Sequence, residues 1–467
     1  MFGELIMSDY RENAIKYFHQ NKGKYLDHFK DYLKIPSISA DSKYKTDINK
    51  AANWLVKYLK SLGIEKAEVY ETKLHPIVFG EYLKAGKEKP TVLIYGHYDV
   101  QPPDPVELWQ SDPFSPSERD GLLYARGSSD MKGQLMASLS AIDAIMHTND
   151  FPVNLKFIIE GEEEIGSPSI IDFLENNRDL LKSDFALNLD AGMIATDVPT
   201  IVYGLRGLAY FEIYVKGPEH DLHSGLFGGV VYNPIQALCE ILAGMKGKDG
   251  KILLPSFYDD VEPLAQDERI ELSHLPMDDQ YYLGQTGVLE LWGESGYTAA
   301  ERVGGRPTLE INGILSGYTG EGPKTVIPSL ATAKISLRLV PNQTPQKVHQ
   351  QLLEYMSSHA PKNITWEVKP LTSDFPCVIG RDFYATRCFS SALQQVWGKK
   401  PVYKREGGSI PIVSYMKNIL GIESVLSGFG LPDDRIHSPN ERINLDLWDK
   451  GVQAVIHFFY NLSESSL

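Results

Sequence analysis

The segment TVLIYGHYD, residues 91–99, joins a continuous apolar run to a group of polar side chains. Short apolar runs bounded by glycine or charge are typical of parallel strands that are buried on both faces. Similar runs occur at 155–159 (LKFII), 185–189 (FALNL) and 424–426 (SVL). Helical patterns separate the runs, at 11–34, 48–62 and 131–146. This alternation predicts an α/β fold with a mostly parallel sheet.

The pattern changes in the second half of the chain, where apolar and polar residues alternate as in half-exposed strands. Phe211, Ile213 and Val215 indicate one such strand, and residues 333–339 indicate another. A helical pattern over 345–358 follows. This order is typical of a small antiparallel sheet with two helices on one face. We therefore predict that an α+β domain is inserted into the first domain.

The predicted insertion also contains a helix that begins at Asn233-Pro234, because asparagine is a preferred N-cap and proline suits the first helical position. Residues 246–308 lack a clear period and are interpreted as a long embellishment. The predicted domains are 1–207 and 377–467 for the first domain and 208–376 for the inserted one.

The composition excludes several classes of protein. The chain has 46 Lys+Arg against 61 Asp+Glu, a net charge of −15, whereas non-specific nucleic-acid binding depends on basic residues. No apolar stretch reaches the ~18 residues that suggest a membrane span, and the N-terminus lacks a secretory pattern. The three cysteines, Cys239, Cys377 and Cys388, form no CxxC pair. We expect a reduced, cytoplasmic protein without nucleic-acid or membrane partners.

Potential metal ligands follow every predicted buried strand. In chain order they are His97 and Asp99, Glu162 to Glu164, Asp190 and His437, and Asp130 opens the predicted helix at 131–146. Ligands of open α/β sheets bind beyond the carboxyl ends of the strands, so we expect these segments to meet in one crevice. Histidines with carboxylates suit Zn²⁺, with Mn²⁺ or Co²⁺ as alternatives. The carboxylates exceed the need of one zinc, which favours two metals that share one carboxylate.

Each of these signals also has a simpler interpretation. A single histidine after a strand is more often structural, an acidic turn is usually solvated, and Asp130 stands where a helix N-cap would stand. Their coincidence at every predicted strand end favours the metal site. The motifs of other enzyme classes are missing from the sequence. There is no G-x-S-x-G motif of a serine hydrolase. Residues 317–325 do not match the P-loop pattern, and residues 428–430 do not match the dinucleotide-binding pattern.

Seven motifs resemble the dinuclear metallopeptidases, and among them the carnosinase-like, cytosolic non-specific dipeptidases. They are GHYDVQP (96–102), DPFSPSERDGLLYARGSSDMKGQ (112–134), EGEEEIGS (160–167), DLHSG (221–225), RLVPN (338–342), REGGSIP (405–411) and HSPNE (437–441). The resemblance spans roughly residues 15–460 and keeps the motif order. It implies that the inserted domain serves as a lid and as the contact of a homodimer.

The resemblance also implies a ligand set for two divalent metal ions. His97 and Asp190 would bind one ion, Glu164 and His437 the other, and Asp130 would bridge them. A cis peptide is expected after the bridging aspartate, as in many members of the family.

Two further carboxylates near the metals receive roles from the resemblance. Glu163 would be the general base, and Asp99 would orient His97, which agrees with the physical roles open to such neighbours. Two residues depart from the family pattern. Met131 stands where the family often has an acidic residue, and Glu162 stands where a less acidic residue is common. Neither departure removes a ligand.

Substrate-binding residues are implied in the later motifs. They are His223, Thr325, Arg338, Gly407, Gly408 and Ser409. His223 would polarise the scissile carbonyl from the partner subunit, which a donor aimed at a developing oxyanion does well. A guanidinium and accessible N–H groups of a Gly-Gly loop suit the free carboxylate of a peptide. Without the resemblance, His223 and Arg338 would be interpreted as solvated surface residues.

Three hypotheses follow from the sequence. The first is a metal-dependent dipeptidase that hydrolyses dipeptides or short peptides with a free C-terminal carboxylate, using a metal-activated water and a glutamate base. The second is an N-acyl-amino-acid deacylase, of the aminoacylase or desuccinylase type, with the same two-metal site. The third is a degenerate relative that only binds, against which the intact Glu163, Glu164 and ligand set argue.

Overall fold

The computed structural model of the chain describes residues 2–464, with side chains from Tyr10 onward. The helices are α1 Phe2–Gln20, α2 Lys22–Leu33, α3 Lys45–Ser61, α4 Lys132–Thr148, α5 Ile170–Asn176, α6 Ser224–Phe227, α7 Pro234–Gly244, α8 Gln266–Ser273, α9 Asp279–Thr286, α10 Ala299–Gly305, α11 Pro345–His359, α12 Tyr384–Trp397, α13 Pro411–Tyr415 and α14 Leu445–Glu464. Within these helices, none is long and apolar enough to cross a membrane.

The strands alternate with the helices along the chain. They are β1 Lys66–Tyr70, β2 Ile77–Tyr82, β3 Thr91–His97, β4 Ser117–Arg119, β5 Leu122–Tyr124, β6 Asn154–Glu160, β7 Phe185–Asn188, β8 Thr200–Leu205, β9 Gly207–Lys216, β10 Leu222–His223, β11 Thr308–Ser316, β12 Val326–Ile327, β13 Leu330–Leu339, β14 Thr365–Asp374, β15 Cys377–Val378, β16 Val402–Glu406, β17 Glu423–Leu426 and β18 Arg442–Asn444.

The chain forms two compact units. The first consists of the chain up to Tyr203, Ile379–Tyr403 and the chain from Pro411 onward; the second consists of Gly204–Val378 and Lys404–Ile410. Lys404–Ile410, which the sequence assigned to the first domain, therefore belongs to the second unit. The predicted bounds at 207 and 376, and the roles given to the two domains, stay predictions.

The first unit is built on a large sheet with the order β1-β2-β6-β3-β7-β17-β8. Its four central strands, β6, β3, β7 and β17, are mutually parallel, and β2 and β8 join them antiparallel. These four strands are the four apolar runs of the sequence, so the predicted parallel sheet is confirmed. Nearly every residue in them is buried, which explains why they do not alternate with polar residues.

Helix α4 follows the Asp130 segment and lies in the middle of the first unit. It begins at Lys132, with Met131 at the N-cap position and no side chain as a cap. The prediction that Asp130 caps the helix is therefore wrong, because the Asp130 carboxylate contacts two histidines instead. The expected cis peptide between Asp130 and Met131 is present. The buried Met131 sulfur accepts a hydrogen bond from the backbone N–H of His97 at 3.2 Å.

The start of α4 is also held from its other side by α14. Trp448 donates to the carbonyl of Gly133 at 3.0 Å and stacks on Phe29, with ring centroids 5.6 Å apart. A Cβ atom on Gly133 would lie 2.0 Å from the carbonyl oxygen of Ser128, so only glycine fits there. Core packing thus fixes the backbone next to Asp130.

The second unit contains an antiparallel sheet with the order β11-β13-β9-β14. Its inward residues on β9 and β13 pack with α7 and α11, which confirms the predicted alternation. The side chain of Asn233 accepts from the backbone of Ile235, as expected of the α7 N-cap. The segment 246–308 forms three short helices, α8 to α10, of seven or eight residues each. Helices of two turns give little periodic signal, which is why the sequence showed none.

Candidate metal centre

The first ligand group lies at the carboxyl ends of two neighbouring strands. His97 ends β3, Asp190 follows β7, and Asp130 precedes α4. The Nε2 atom of His97 lies 3.1 Å from Oδ1 of Asp130 and 3.9 Å from Oδ1 of Asp190. One ligand atom from each residue lies within 4.8 Å of the others, a spacing that one metal ion can span.

A second group shares Asp130 with the first. The Nε2 atom of His437 lies 2.9 Å from Oδ2 of Asp130 and 3.1 Å from Oε2 of Glu164. Asp130 thus turns one carboxylate oxygen toward each histidine. Five side chains that are far apart in the sequence form two adjoining groups, with the geometry that a bridging carboxylate requires.

The charges of these groups favour a cation among them. Burial lowers the pKa of His97, but hydrogen bonds to Asp130 and Asp99 and the neighbouring charges raise it well above its usual value. Hydrogen bonds to Asp130 and Glu164 raise the pKa of His437 to about 10. Burial raises the pKa of Asp190 to about 7. Both histidines and, in part, Asp190 thus hold protons near neutral pH, and their nitrogen and oxygen donors are of the kind that divalent metals take in exchange for protons.

Glu163 lies next to the second ligand group, on the short helical turn Glu163–Ile165. Burial raises the pKa of its carboxyl well above the usual value, His97 opposes the shift, and Asp190 and Glu164 add to it. A carboxylate whose pKa is raised above its ordinary value is suited to accept and return a proton.

Asp99 connects the His97 strand to the glutamate turn. Its carboxylate accepts the backbone N–H groups of Glu163 and Glu164, at 3.2 and 3.1 Å. Its Oδ1 atom lies 3.4 Å from Nδ1 of His97, and its carbonyl oxygen lies 3.1 Å from the same nitrogen. Asp99 therefore fixes both the imidazole orientation and the glutamate turn.

Sequence reasoning missed the carboxylate that holds the Asp130 loop. Glu441 accepts from Nη1 of Arg126 at 2.7 Å and from the backbone N–H groups of Gly127, Ser129 and Asp130 at 2.9 to 3.1 Å. Burial raises its pKa, and Arg126 opposes the shift. The HSPNE motif contained this residue, but nothing in the sequence indicated its partner.

The structural roles of two other polar residues around the glutamate turn were also missed. Glu162 points away from the ligands and accepts hydrogen bonds from Thr72, His75 and Ser169. Glu162, although it departs from the family pattern, therefore anchors the turn through hydrogen bonds to its buried carboxylate. Gln101 donates to the Glu164 carboxylate at 2.9 Å, and its place in the GHYDVQP motif was the available signal.

The second unit brings His223 and Thr325 together. His223 pairs with Val326 between β10 and β12, and the N–H of Ser224 donates to the carbonyl of Thr325 at 3.0 Å. Both residues are exposed. The Nδ1 atom of His223 accepts a hydrogen bond from the backbone N–H of Gly225. The second ring nitrogen, Nε2, takes no part in this bond.

The remaining predicted substrate residues lie in another part of the second unit. Nη1 of Arg338 lies 3.5 Å from Oγ of Ser409, which donates to Asp374 at 3.0 Å. The carbonyl of Gly407 accepts from Nε of Arg206 at 2.9 Å. A Cβ atom on Gly408 would meet nothing within 4 Å, so the backbone there is open.

Fold and ligand groups together define a metallopeptidase: a parallel α/β sheet presents histidines and carboxylates at its strand ends, beside a glutamate suited to proton transfer. Residues 93–461 match the model of peptidase family M20/M25/M40, and the chain belongs to this family. The resemblance to carnosinase-like dipeptidases is confirmed.

Two curated relatives and one solved structure illustrate the similarity. The chain is 32% identical to the Cys-Gly metallodipeptidase dug1 of Schizosaccharomyces pombe, over 96% of this chain and 97% of the relative. It is 30% identical to human Beta-Ala-His dipeptidase, over 97% of this chain and 93% of the relative. The M20 family metallo-carboxypeptidase Sso-CP2 from Sulfolobus solfataricus superimposes with a TM-score of 0.85 and 34% identity, over 94% of this chain and 99% of that structure.

Proposed function

We propose that this protein is a dipeptidase that hydrolyses dipeptides or short peptides with a free C-terminal carboxylate. The observation that carries the proposal is the sharing of Asp130 between two ligand groups, with Glu163 beside them. The names of the relatives support dipeptides as substrates. They do not favour the deacylase alternative.

The ligand groups would hold two divalent ions, Zn²⁺ in the first instance and Mn²⁺ or Co²⁺ as alternatives. We assign His97 and Asp190 to one ion, Glu164 and His437 to the other, and Asp130 to both. The ions would supply Lewis acidity, which lowers the pKa of water and polarises a carbonyl group.

The side chains then divide the work of peptide hydrolysis. Glu163 accepts a proton from the attacking water and returns it to the leaving amine, since its raised pKa suits both steps. Asp99 keeps Glu163 and His97 in place through the hydrogen bonds described above. Arg338 and the open backbone at Gly408 bind the free carboxylate of the substrate, with Ser409 between Arg338 and Asp374.

We further propose a homodimer formed through the second unit, in which His223 acts on the partner's substrate with Thr325 beside it. Strand β11 lies at the edge of its sheet and exposes Ile314 and Leu315, and Leu226 and Val230 are exposed after His223. Unpaired strand edges and exposed apolar side chains are typical of protein contacts. Sedimentation of the native chain and of Leu315→Glu tests this: a wild-type monomer would contradict the proposal. The cytoplasmic location stays a prediction.

The substrate class is tested with a panel given to metal-loaded protein. The panel contains free dipeptides, their C-terminal amides, longer peptides and N-acetylated amino acids. We expect hydrolysis of free dipeptides and none of the amides, because the proposed site binds a carboxylate. Hydrolysis of acetylated amino acids alone would move the protein to the deacylases, and removal of single residues from longer peptides would make it a carboxypeptidase.

A further inference from the structure

The second unit contains a pocket of about 410 Å³, within the size range of small-ligand sites. One wall comes from the open face of the β11–β13 sheet and includes Arg338. The other wall comes from the segment 246–308, which the sequence left without a role, and includes Trp292 and Arg302. Five basic side chains and two carboxylates line the pocket: Arg206, Lys246, Arg302, Arg306, Arg338, Glu294 and Glu310.

Two of the five cations are neutralised by the two carboxylates. Arg306 forms two hydrogen bonds with the Glu294 carboxylate, at 2.7 and 2.8 Å, and both side chains are buried. Lys246 lies 3.5 Å from Glu310 and over the ring of Trp292. The excess charge of the pocket therefore resides on three guanidinium groups, those of Arg206, Arg302 and Arg338.

These three arginines lack carboxylate partners: among the described residues, none of them has a carboxylate oxygen within the 4.0 Å of an ion pair. Arg206 donates through Nε and Nη1 to carbonyl oxygens only, those of Gly407, Arg302 and Arg306. Arg302 donates through Nε to the carbonyl of Glu294 at 2.9 Å. A guanidinium has five N–H donors, and the bonds in the structure use three on Arg206 and one each on Arg302 and Arg338, so most of the donors on Arg302 and Arg338 stay available.

The electrostatics agree with this geometry. Burial, and then the charge of Arg338, lower the pKa of Arg206 to about 10, and the charges of Glu406 and Glu310 oppose the shift. Burial also lowers the pKa of Arg338, and Asp374 opposes the shift. A buried Arg206 guanidinium whose charge is disfavoured by Arg338 gains stability from a bound anion.

We propose that this pocket binds the two carboxylates of an acidic C-terminal residue, so that peptides ending in glutamate or aspartate are preferred substrates. Arg338 binds the α-carboxylate, and Arg206 and Arg302 bind the side-chain carboxylate, for which a guanidinium fork is well shaped. The proposal rests on the proposed function for the role of Arg338. It adds a substrate class and gives the 246–308 segment a role in specificity.

The first test measures binding and requires no hydrolysis. Calorimetric titrations of the full-length protein compare L-glutamate with L-glutamine, which have the same size and differ in that the side-chain carboxylate is replaced by a neutral amide. We expect glutamate to bind at least ten times more tightly. Equal affinities in the wild-type protein would overturn the proposal, and this comparison does not depend on a variant that folds.

The second test uses a variant and a matched control. Arg302→Gln removes one pocket charge, whereas Lys248→Gln removes one charge from an exposed side chain that does not line the pocket. We expect the preference for glutamate to fall at least fivefold in Arg302→Gln and to persist in Lys248→Gln. An unchanged preference in Arg302→Gln, or an equal loss in both variants, would contradict the proposal.

Kinetics then separate this proposal from the proposed function. We expect kcat/KM for Ala-Glu to exceed that for Ala-Gln at least tenfold in the wild-type protein. If both dipeptides are hydrolysed equally well, the pocket proposal fails and the dipeptidase stands. If glutamate binds preferentially but no dipeptide is hydrolysed, the anion pocket stands and the proposed function fails.

Discussion

The carboxylate of Glu441 and the guanidinium of Arg126 form a fully buried ion pair, with Oε2 and Nη1 2.7 Å apart. The other carboxylate oxygen accepts the backbone N–H groups of Ser129 and Asp130. Glu441 follows His437 by four residues in the sequence. The pair therefore joins the two segments that carry the shared aspartate and the second histidine.

We predict that Glu441→Ala lowers the free energy of unfolding by about 3–5 kcal/mol, because it leaves the Arg126 charge buried without its partner. Urea denaturation measures the change. The control is Glu65→Ala, which removes an exposed partner of Lys84 and should leave the free energy of unfolding almost unchanged, because solvent screens such pairs. The double variant Arg126→Met, Glu441→Gln should cost less than the sum of its single changes. Similar costs for Glu441→Ala and Glu65→Ala would refute this account of the pair.

Glu163→Gln tests the general base. The substitution keeps the size of the side chain and removes its ability to accept a proton, so we expect kcat to fall at least about 100-fold. The metal content, measured by elemental analysis, should stay at the wild-type value because Glu163 lies outside the ligand groups. Normal turnover by the variant would show that another group takes the proton.

Asp130 and Asp190 are expected to differ in their effects on metal content. Asp130 belongs to both ligand groups and Asp190 to one. Asp130→Asn should therefore reduce the binding of both ions, whereas Asp190→Asn should leave close to one ion per chain. Elemental analysis after dialysis provides the ratio. Loss of a single ion from Asp130→Asn would mean that the carboxylate does not bridge.

The stability of the first unit should depend on pH through His457, on α14. Burial, and then the charge of Arg11, lower the pKa of this histidine to about 4, against 6.5 for an ordinary histidine. The unfolded chain thus binds more protons between these values, and the free energy of unfolding falls as the pH decreases through this window, by about 1.4 kcal/mol per pH unit at most.

His457→Gln removes the titrating group and tests whether the free energy of unfolding falls with decreasing pH because of His457. The wild-type protein should lose more stability between pH 7 and pH 5 than the variant does, as measured by urea denaturation at each pH. The other titrating groups are the same in both proteins, so their contributions cancel when the loss of stability in the variant is subtracted from that in the wild-type protein. Parallel losses in the two proteins would exclude His457 as a source of pH dependence.

The sequence was sufficient for features that depend on local patterns. The four central strands were predictable because each is a continuous apolar run, and the side chains of the two groups were predictable because each follows such a run or opens the next helix. The family resemblance supplied a pairing of these side chains with two metals, which spacing alone left open and which stays a prediction. The N-cap role of Asp130 failed because a tertiary contact with two histidines outweighed a local preference.

Features that depend on distant partners were not predictable. The hydrogen bond from Asp130 to Glu441 spans 311 residues, and no local pattern relates the two. The helices of the 246–308 segment are too short to show a period, so no sequence pattern indicated that Trp292 and Arg302 line a pocket. Glu162 looked like part of an acidic turn, and only its four hydrogen bonds distinguish it from its neighbours.

The second unit is discontinuous in sequence, since Lys404–Ile410 belongs to it together with Gly204–Val378. A fragment cut at the two ends of the longer segment would lack Gly407, the acceptor for Arg206, and Ser409, the neighbour of Arg338. Chimaeras that exchange substrate preference between relatives must therefore transplant both segments at once. A graft of the longer segment alone would combine arginines from one parent with a loop from the other.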